Sequence, residues 1–123
     1  MTNATINNPY LDTLKTLLGK EVLVIVDRPY GSVHPKHPNI HYSVNYGYIE
    51  LMKAPDGEYQ DAYILGINEP LESYKGIVIA IIHRTNDVED KLVVAPKGMT
   101  FTDDEILSSV NFQEQYFESV IVR

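Results

Sequence analysis

The sequence predicts a mainly β domain with one helix near each end. Between about residues 20 and 96, short apolar runs alternate with turn-rich segments, and no helical periodicity separates them. Helix-start signals stand outside this region, at Asn8-Pro9 and at Thr102 with Glu105. A chain of 123 residues with 44% hydrophobic residues fits one compact domain spanning residues 1–123. The repeated strand and loop pattern favours an antiparallel barrel or sandwich.

The N-terminal part predicts a short helix followed by a strand. Asn8 is a good N-cap, Pro9 suits the first helical position, and apolar residues recur on one face up to Gly19, namely Leu11, Leu14, Leu17 and Leu18. The run from Val22 to Val26 is β-branched and nearly continuous, as in a strand that is buried on both faces. Pro29 ends it.

Three further strands and a C-terminal helix complete the prediction. The apolar runs Asp61–Ile67, Gly76–Ile82 and KLVVAP from Lys91 are separated by the turn-rich segments NEPLESYK and HRTNDVED. Thr102 and Glu105 form a capping box, after which the inner face is Ile106, Leu107, Val110 and Phe117. The last residues, SVIVR, predict a short edge strand.

Charge and composition exclude several functions. A formal net charge of −7 and a pI near 4.9 disfavour binding to phosphate backbones and anionic membranes, so neither nucleic acid nor membrane is an expected partner. The absence of cysteine removes disulfides, thiolate zinc sites and thiol nucleophiles. No signal-peptide pattern and no apolar run of roughly 18 residues is present, which predicts a cytoplasmic protein.

Two acidic clusters are candidate metal sites. Asp56, Glu58 and Asp61 share one turn, and Gly57 allows the backbone to bend closely there. Carboxylates this close repel one another unless cations lie among them, and oxygen ligands without sulfur suit Mg²⁺ or Mn²⁺. The second cluster, formed by Asp87, Glu89 and Asp90, lies in a later loop. Each cluster taken alone is more typical of a solvated turn than of a metal site, and the spacing does not fit an EF-hand.

The histidines and tyrosines are less specific. His34, His37 and His41 lie in a proline-rich loop without helical spacing, which favours ordinary polar roles over zinc binding. Tyr42, Tyr46 and Tyr48 alternate with a period of two, which is typical of one face of a half-buried strand. The residues alone therefore leave the function open.

Taken together, three segments resemble the family I soluble inorganic pyrophosphatases. These are YSVNYGYI, then DGEYQDAYIL beginning seven positions after Ile49, then EDKLVVAP. The resemblance covers about Asp27 to Gly98. It implies an OB-like five-stranded β-barrel with helices packed outside, and Mg²⁺- or Mn²⁺-dependent hydrolysis of inorganic pyrophosphate by a metal-activated water. It also implies a homo-oligomer, because members of the family commonly self-associate.

The resemblance also implies roles for individual residues. The implied metal ligands are Asp56, Glu58, Asp61, Asp87 and Glu89. The implied catalytic residues are Glu58, Asp61, Lys91 and Tyr46, with Glu58 or Asp61 accepting the proton of the attacking water. The implied substrate-binding residues are Tyr42, Arg28, Lys36 and Tyr116.

Some positions depart from the family pattern. Glu58 and Glu89 replace aspartates, Tyr59 replaces the signature proline, and Phe117 replaces a lysine. A longer carboxylate moves its oxygens by roughly 1 Å, enough to change the rate of a metal-assisted reaction. Two alternatives therefore remain open: hydrolysis of a nucleotide or other organic diphosphate, and a non-catalytic OB-like binding module.

Overall fold

A computed structural model describes residues 7–123. It contains two helices, α1 (Pro9–Lys15) and α2 (Asp103–Glu114). The strands are β1 (Glu21–Arg28), β2 (Asn45–Lys53), β3 (Tyr59–Ile64), β4 (Ser73–Arg84), β5 (Lys91–Ala95) and β6 (Ser119–Val122). No helix in this part of the chain has the length and apolar character needed to cross a membrane.

The first five strands close into a barrel. Their order is β1-β2-β3-β5-β4, and pairing of β4 with β1 closes the ring. Strand β4 is long enough for three partners: its first residues pair with β1, its middle with β5, and its last residues, Ile81 to Arg84, with β6. The mainly β class and the five-stranded barrel are confirmed, and SVIV forms the predicted edge strand.

The predicted antiparallel arrangement is wrong for one pair of strands, because β3 and β5 run parallel. The chain leaves β3, turns back along β4 and then returns as β5, which inserts between the two. A strand that pairs antiparallel with β4 in that position must run in the direction of β3. Asp61 and Lys91, two of the implied site residues, lie on this parallel pair of strands.

Strand β1 is not buried on both faces as predicted. Its residues alternate, with Val22 and Val24 in the core and Leu23 46% exposed. In a barrel, successive side chains point inward and outward, so a continuous apolar run does not by itself require two buried faces. Both faces are buried in β3 from Ala62 to Ile64 and throughout β5.

Helices α1 and α2 cover different sides of the sheet. Leu14 of α1 packs into a cluster with Val24 and Ile64, whereas Ile106 and Val110 of α2 pack into a second cluster with Tyr63. Neighbouring residues of β3 therefore enter opposite clusters, as its pleat requires. Helix α2 is thus packed against the face of the barrel that carries Tyr63.

The element boundaries differ from the sequence prediction where glycine or a helix end intervenes. Helix α1 ends at Lys15, and Thr16 to Gly19 form turns. Strand β3 ends at Ile64, because Gly66 has a positive φ of 92° and turns the chain. The capping box of α2 is confirmed, but Phe117 lies beyond the end of the helix and not on its inner face.

Candidate active site

A cavity of about 510 Å³ opens between the segment after β1, the ends of β3, β4 and β5, and the end of α2. We call it the pocket. The residues that line it are Asp27, Arg28, His34, His37, Asn39, Ile40, Tyr46, Asp61, Arg84, Lys91, Gln113, Tyr116 and Phe117. Three strands contribute one cation each, Arg28, Arg84 and Lys91.

Asp61 and Lys91 form an ion pair in the pocket. The parallel register pairs Ala62 with Leu92, so the residues that precede them, Asp61 and Lys91, lie side by side. Lys91 Nζ is 2.7 Å from Asp61 Oδ2 and 3.8 Å from Glu89 Oε1. Lys91 is only 5% exposed, and burial of an ammonium is tolerated where carboxylates compensate its charge.

Tyr46 faces the same ion pair. Its ring centroid is 5.9 Å from Lys91 Nζ. Burial, together with the Asp61 carboxylate, raises the pKa of Tyr46 well above its usual value. The hydroxyl is therefore a hydrogen-bond donor throughout the physiological pH range.

Arg28 is held at the wall of the pocket by a chain of hydrogen bonds. Its Nη1 donates to Tyr42 Oη over 2.7 Å, and that hydroxyl donates to Gln113 Oε1 over 2.7 Å. Gln113 Nε2 then donates to Tyr63 Oη over 2.8 Å. Tyr42 is thus buried behind Arg28 and connects it to helix α2.

Arg84 reaches the same helix from the other side. Its Nε and Nη2 donate to the two carboxylate oxygens of Glu114, over 2.9 Å and 2.7 Å. Tyr63 Oη donates to Glu114 Oε2 over 2.7 Å, which completes a continuous network from Arg28 to Arg84. The Arg84 guanidinium also lies 3.6 Å from the centre of the Phe117 ring.

The acidic residues of the two predicted clusters lie in different surroundings. Asp56 accepts a hydrogen bond from the backbone of Glu58, which lowers its pKa, and the nearby Glu89 carboxyl lowers it further. Burial and the Asp56 carboxyl raise the pKa of Glu89. Asp87 instead binds Arg84 Nη1 over 3.1 Å. Glu58 is exposed.

The structure brings some of the predicted site residues together and leaves others apart. Those that line the pocket are Arg28, Tyr46, Asp61, Lys91 and Tyr116. Those outside its lining are Lys36, Tyr42, Asp56, Glu58, Asp87 and Glu89. Among residues 7–123, no three histidine, aspartate or glutamate side chains converge closely enough to hold a metal ion.

Sequence reasoning missed Arg84, Gln113 and Glu114. Arg84 follows an apolar strand, and Glu114 lies on a helix whose polar residues look like an ordinary solvated face. Only the packing of α2 across the end of β4 brings them together. Asn39, also missed, donates from Nδ2 to Tyr116 Oη over 3.3 Å, which joins the segment before β2 to the segment after α2.

Comparison with known proteins identifies the fold. No family model and no curated protein sequence matches the chain. The structure resembles the inorganic pyrophosphatase from Ehrlichia chaffeensis with a TM-score of 0.63 at 16% identity, over 83% of this chain and 84% of that one. For the inorganic pyrophosphatase from Neisseria gonorrhoeae the values are 0.63 and 19%, over 80% and 74%.

A third structure agrees with these two. The inorganic pyrophosphatase from Coxiella burnetii matches with a TM-score of 0.61 at 13% identity, over 85% of this chain and 84% of that one. The chain therefore has the fold of the inorganic pyrophosphatases.

Proposed function

We propose that the pocket hydrolyses inorganic pyrophosphate to two phosphates. The observation that carries the proposal is the convergence of Arg28, Lys91 and Tyr46 with a carboxylate, Asp61, in one pocket of this fold. Hydrolysis of a phosphoanhydride requires donors for the phosphoryl oxygens and an acceptor for the proton of the attacking water. The pocket contains both kinds of group.

The chemistry of the acidic side chains fits a divalent cation. Asp56 and Glu89 lie close enough to affect each other, and their contact lowers the pKa of Asp56 and raises that of Glu89. Asp61 is joined to Glu89 through Lys91. These three carboxylates do not converge on one point in the structure. We infer that Asp56, Asp61 and Glu89 would hold Mg²⁺ or Mn²⁺, both of which favour oxygen ligands, only after their side chains move together. A cation bound there would lower the pKa of a coordinated water and so supply hydroxide near neutral pH.

The side chains of the pocket have separate roles in this proposal. Lys91 and Arg28 bind phosphoryl oxygens, and the Tyr46 hydroxyl donates a further hydrogen bond to the departing phosphate. Asp61 accepts the proton of the attacking water, because it lines the pocket. Glu58, the other candidate base, is exposed and lies outside the lining. Its role remains a prediction, as do those of Lys36 and Asp87.

The size of the pocket favours a second candidate, an organic diphosphate. A cavity of about 510 Å³ falls within the roughly 300–1,000 Å³ of small-molecule pockets, and His34, Ile40, Tyr116 and Phe117 add apolar and aromatic surface. A planar organic group has room beside the phosphoryl site.

The single domain, the cytoplasmic location and the formation of a homo-oligomer also remain predictions.

Phosphate release from pyrophosphate tests the proposal. The purified protein is assayed with Mg²⁺, with Mn²⁺ and with chelator, beside a panel of nucleoside diphosphates and other organic diphosphates. We expect metal-dependent release from pyrophosphate. Release from an organic diphosphate alone would support the second candidate, and no release from any of them would leave the non-catalytic binding module.

A further inference from the structure

The geometry points to Arg84 as a phosphoryl-binding residue of the pocket, held in place by Glu114 and Phe117. The inference rests on the proposed function in one respect, namely that the ligand of the pocket carries a phosphoryl group. Arg84 lies at the end of β4, whereas Arg28 and Lys91 belong to β1 and β5. The three residues would thus contact phosphoryl oxygens from different directions.

Arg84 has hydrogen-bond donors to spare although it is buried. The residue is 5% exposed, yet it lines the pocket. A guanidinium has five N–H groups, and three of those of Arg84 donate, two to Glu114 and one to Asp87. Two N–H groups consequently lack an acceptor among residues 7–123. Nη1 and Nη2 each carry one of these spare N–H groups, and because Arg84 lines the pocket, a ligand with several acceptor oxygens could bind to them.

The surroundings of Arg84 fix its orientation before any ligand arrives. Glu114 binds one edge of the guanidinium through two parallel hydrogen bonds, and the Phe117 ring covers one face at 3.6 Å. Glu114 is itself fixed by Tyr63 and by Ser119, whose hydroxyl donates over 3.0 Å. A side chain that is already ordered loses little entropy when it binds a ligand.

Asp87 is the second acidic partner of Arg84. Its carboxylate accepts from Arg84 Nη1 and is 30% exposed, so it is the least confined partner of the guanidinium. A phosphoryl oxygen bound to the two remaining N–H groups of Arg84 would compete with the Asp87 carboxylate for the guanidinium. The negative charge of Asp87 would also repel it. Neutralisation of Asp87 should therefore strengthen binding of phosphate, even when no metal is present.

Anion binding without metal tests the inference. Calorimetry in the presence of chelator measures the affinity of inorganic phosphate and of methylenediphosphonate, a diphosphate analogue that cannot be hydrolysed. We expect Arg84→Lys, which keeps the charge but loses the fork of donors, to weaken binding at least tenfold. Asp87→Asn should strengthen it severalfold. The matched control is Arg123→Lys, since Arg123 is also paired with an aspartate, Asp103, but lies outside the pocket lining.

A second variant keeps the test valid if Arg84→Lys does not fold. Arg84→Met combined with Glu114→Gln removes both buried charges at once, so no unpaired charge remains in the interior. This double variant should fold and bind the analogue at least tenfold more weakly than the wild type. Wild-type affinity in either folded variant would overturn the inference.

The outcomes distinguish this inference from the proposed function. If the wild type hydrolyses pyrophosphate and Arg84→Lys keeps wild-type affinity, only the role of Arg84 is wrong. If the wild type hydrolyses nothing but binds phosphate in a manner that depends on Arg84, the role of Arg84 is supported and the proposed function fails. If the folded wild type binds neither anion, the role of Arg84 is overturned.

Discussion

The side chains of Asp61 and Lys91 meet across the parallel strands β3 and β5, with 2.7 Å between Oδ2 and Nζ. The contact follows directly from the register of the two strands, in which Ala62 lies opposite Leu92. A slip of one residue would turn one of these side chains to the opposite face of the sheet. The buried strands thus fix the positions of the Asp61 carboxylate and the Lys91 ammonium, on which the proposed chemistry depends.

Replacement of Lys91 should abolish most of the activity. Lys91→Gln removes the cation that faces Asp61 and Glu89, and loss of one such electrostatic contact lowers turnover by about 10² to 10³. Initial rates of phosphate release, with circular dichroism to verify folding, measure the effect. Lys97→Gln is the matched control, because Lys97 is exposed and lies outside the pocket lining. Equal rates in the two variants would contradict the role of Lys91.

Gln113 should contribute to stability through the network beneath the pocket. Gln113→Leu leaves the Tyr42 hydroxyl without its acceptor and removes a donor to Tyr63, which should lower the free energy of unfolding by about 1–3 kcal/mol. Urea denaturation measures the change. Gln115→Leu serves as the comparison, since Gln115 is exposed and donates only to the backbone of Phe112. If both substitutions have the same effect, the network is not stabilising.

The Glu114–Arg84 pair should make stability depend on pH in the acid range. Burial raises the pKa of Glu114, but hydrogen bonds from Arg84 and Tyr63 outweigh it, so the pKa lies below its ordinary value of 4.5. The carboxylate therefore stabilises the fold fully above the unfolded-state pKa, and this contribution is lost as pH falls through the lower folded-state pKa.

Glu114→Gln tests this dependence. At pH 7 the variant should be less stable by about 3 kcal/mol or more, because a buried guanidinium loses its charged partner. Below pH 4.5 the difference from the wild type should shrink. Urea denaturation at several pH values follows both proteins. Asp103→Asn, which breaks an exposed ion pair with Arg123, should change stability by less than about 1 kcal/mol at any pH. A constant difference for Glu114→Gln would contradict the account.

Gly47 should tolerate no side chain. A Cβ at this position would lie 1.9 Å from the carbonyl oxygen of Ile25 in the paired strand β1, and neither backbone can move away easily. Gly47→Ala should therefore destabilise the protein by about 3 kcal/mol or more, or prevent folding. Gly57→Ala is the control, since Gly57 has a positive φ of 86° but open space around it, and it should cost about 1 kcal/mol. Thermal denaturation compares the two, and a tolerated alanine at Gly47 would contradict the close approach of β1 and β2.

The sequence predicts the local elements better than their arrangement. Alternation, turn residues and the Thr102–Glu105 capping box depend on neighbours in the chain, and the strands and helices they predict are present. The parallel pairing of β3 with β5 depends on residues about 30 positions apart, which no local pattern reveals. For the same reason the exposed face of β1 was predicted to be buried.

In the candidate site, too, the residues in local motifs could be predicted from the sequence, and the residues that only tertiary packing brings together could not. Asp61, Lys91 and Tyr46 belong to recognisable motifs and meet in the pocket. Arg84 and Glu114 lie 30 positions apart and carry no motif, so their contact becomes visible only when α2 packs across the end of β4. The acidic clusters were recognisable by composition, but the structure separates Asp87, on Arg84, from Asp56 and Glu89.

The rate of phosphate release by Asp61→Asn tests the central proposal most directly. Asparagine keeps the size of the side chain but removes the negative charge that faces Lys91. In the presence of Mg²⁺ we predict rapid release from pyrophosphate by the wild type, a loss of about 10² or more in the variant, and no loss in Asp104→Asn, an exposed aspartate of α2. Wild-type turnover by folded Asp61→Asn would contradict the assignment of the pocket as the site of hydrolysis.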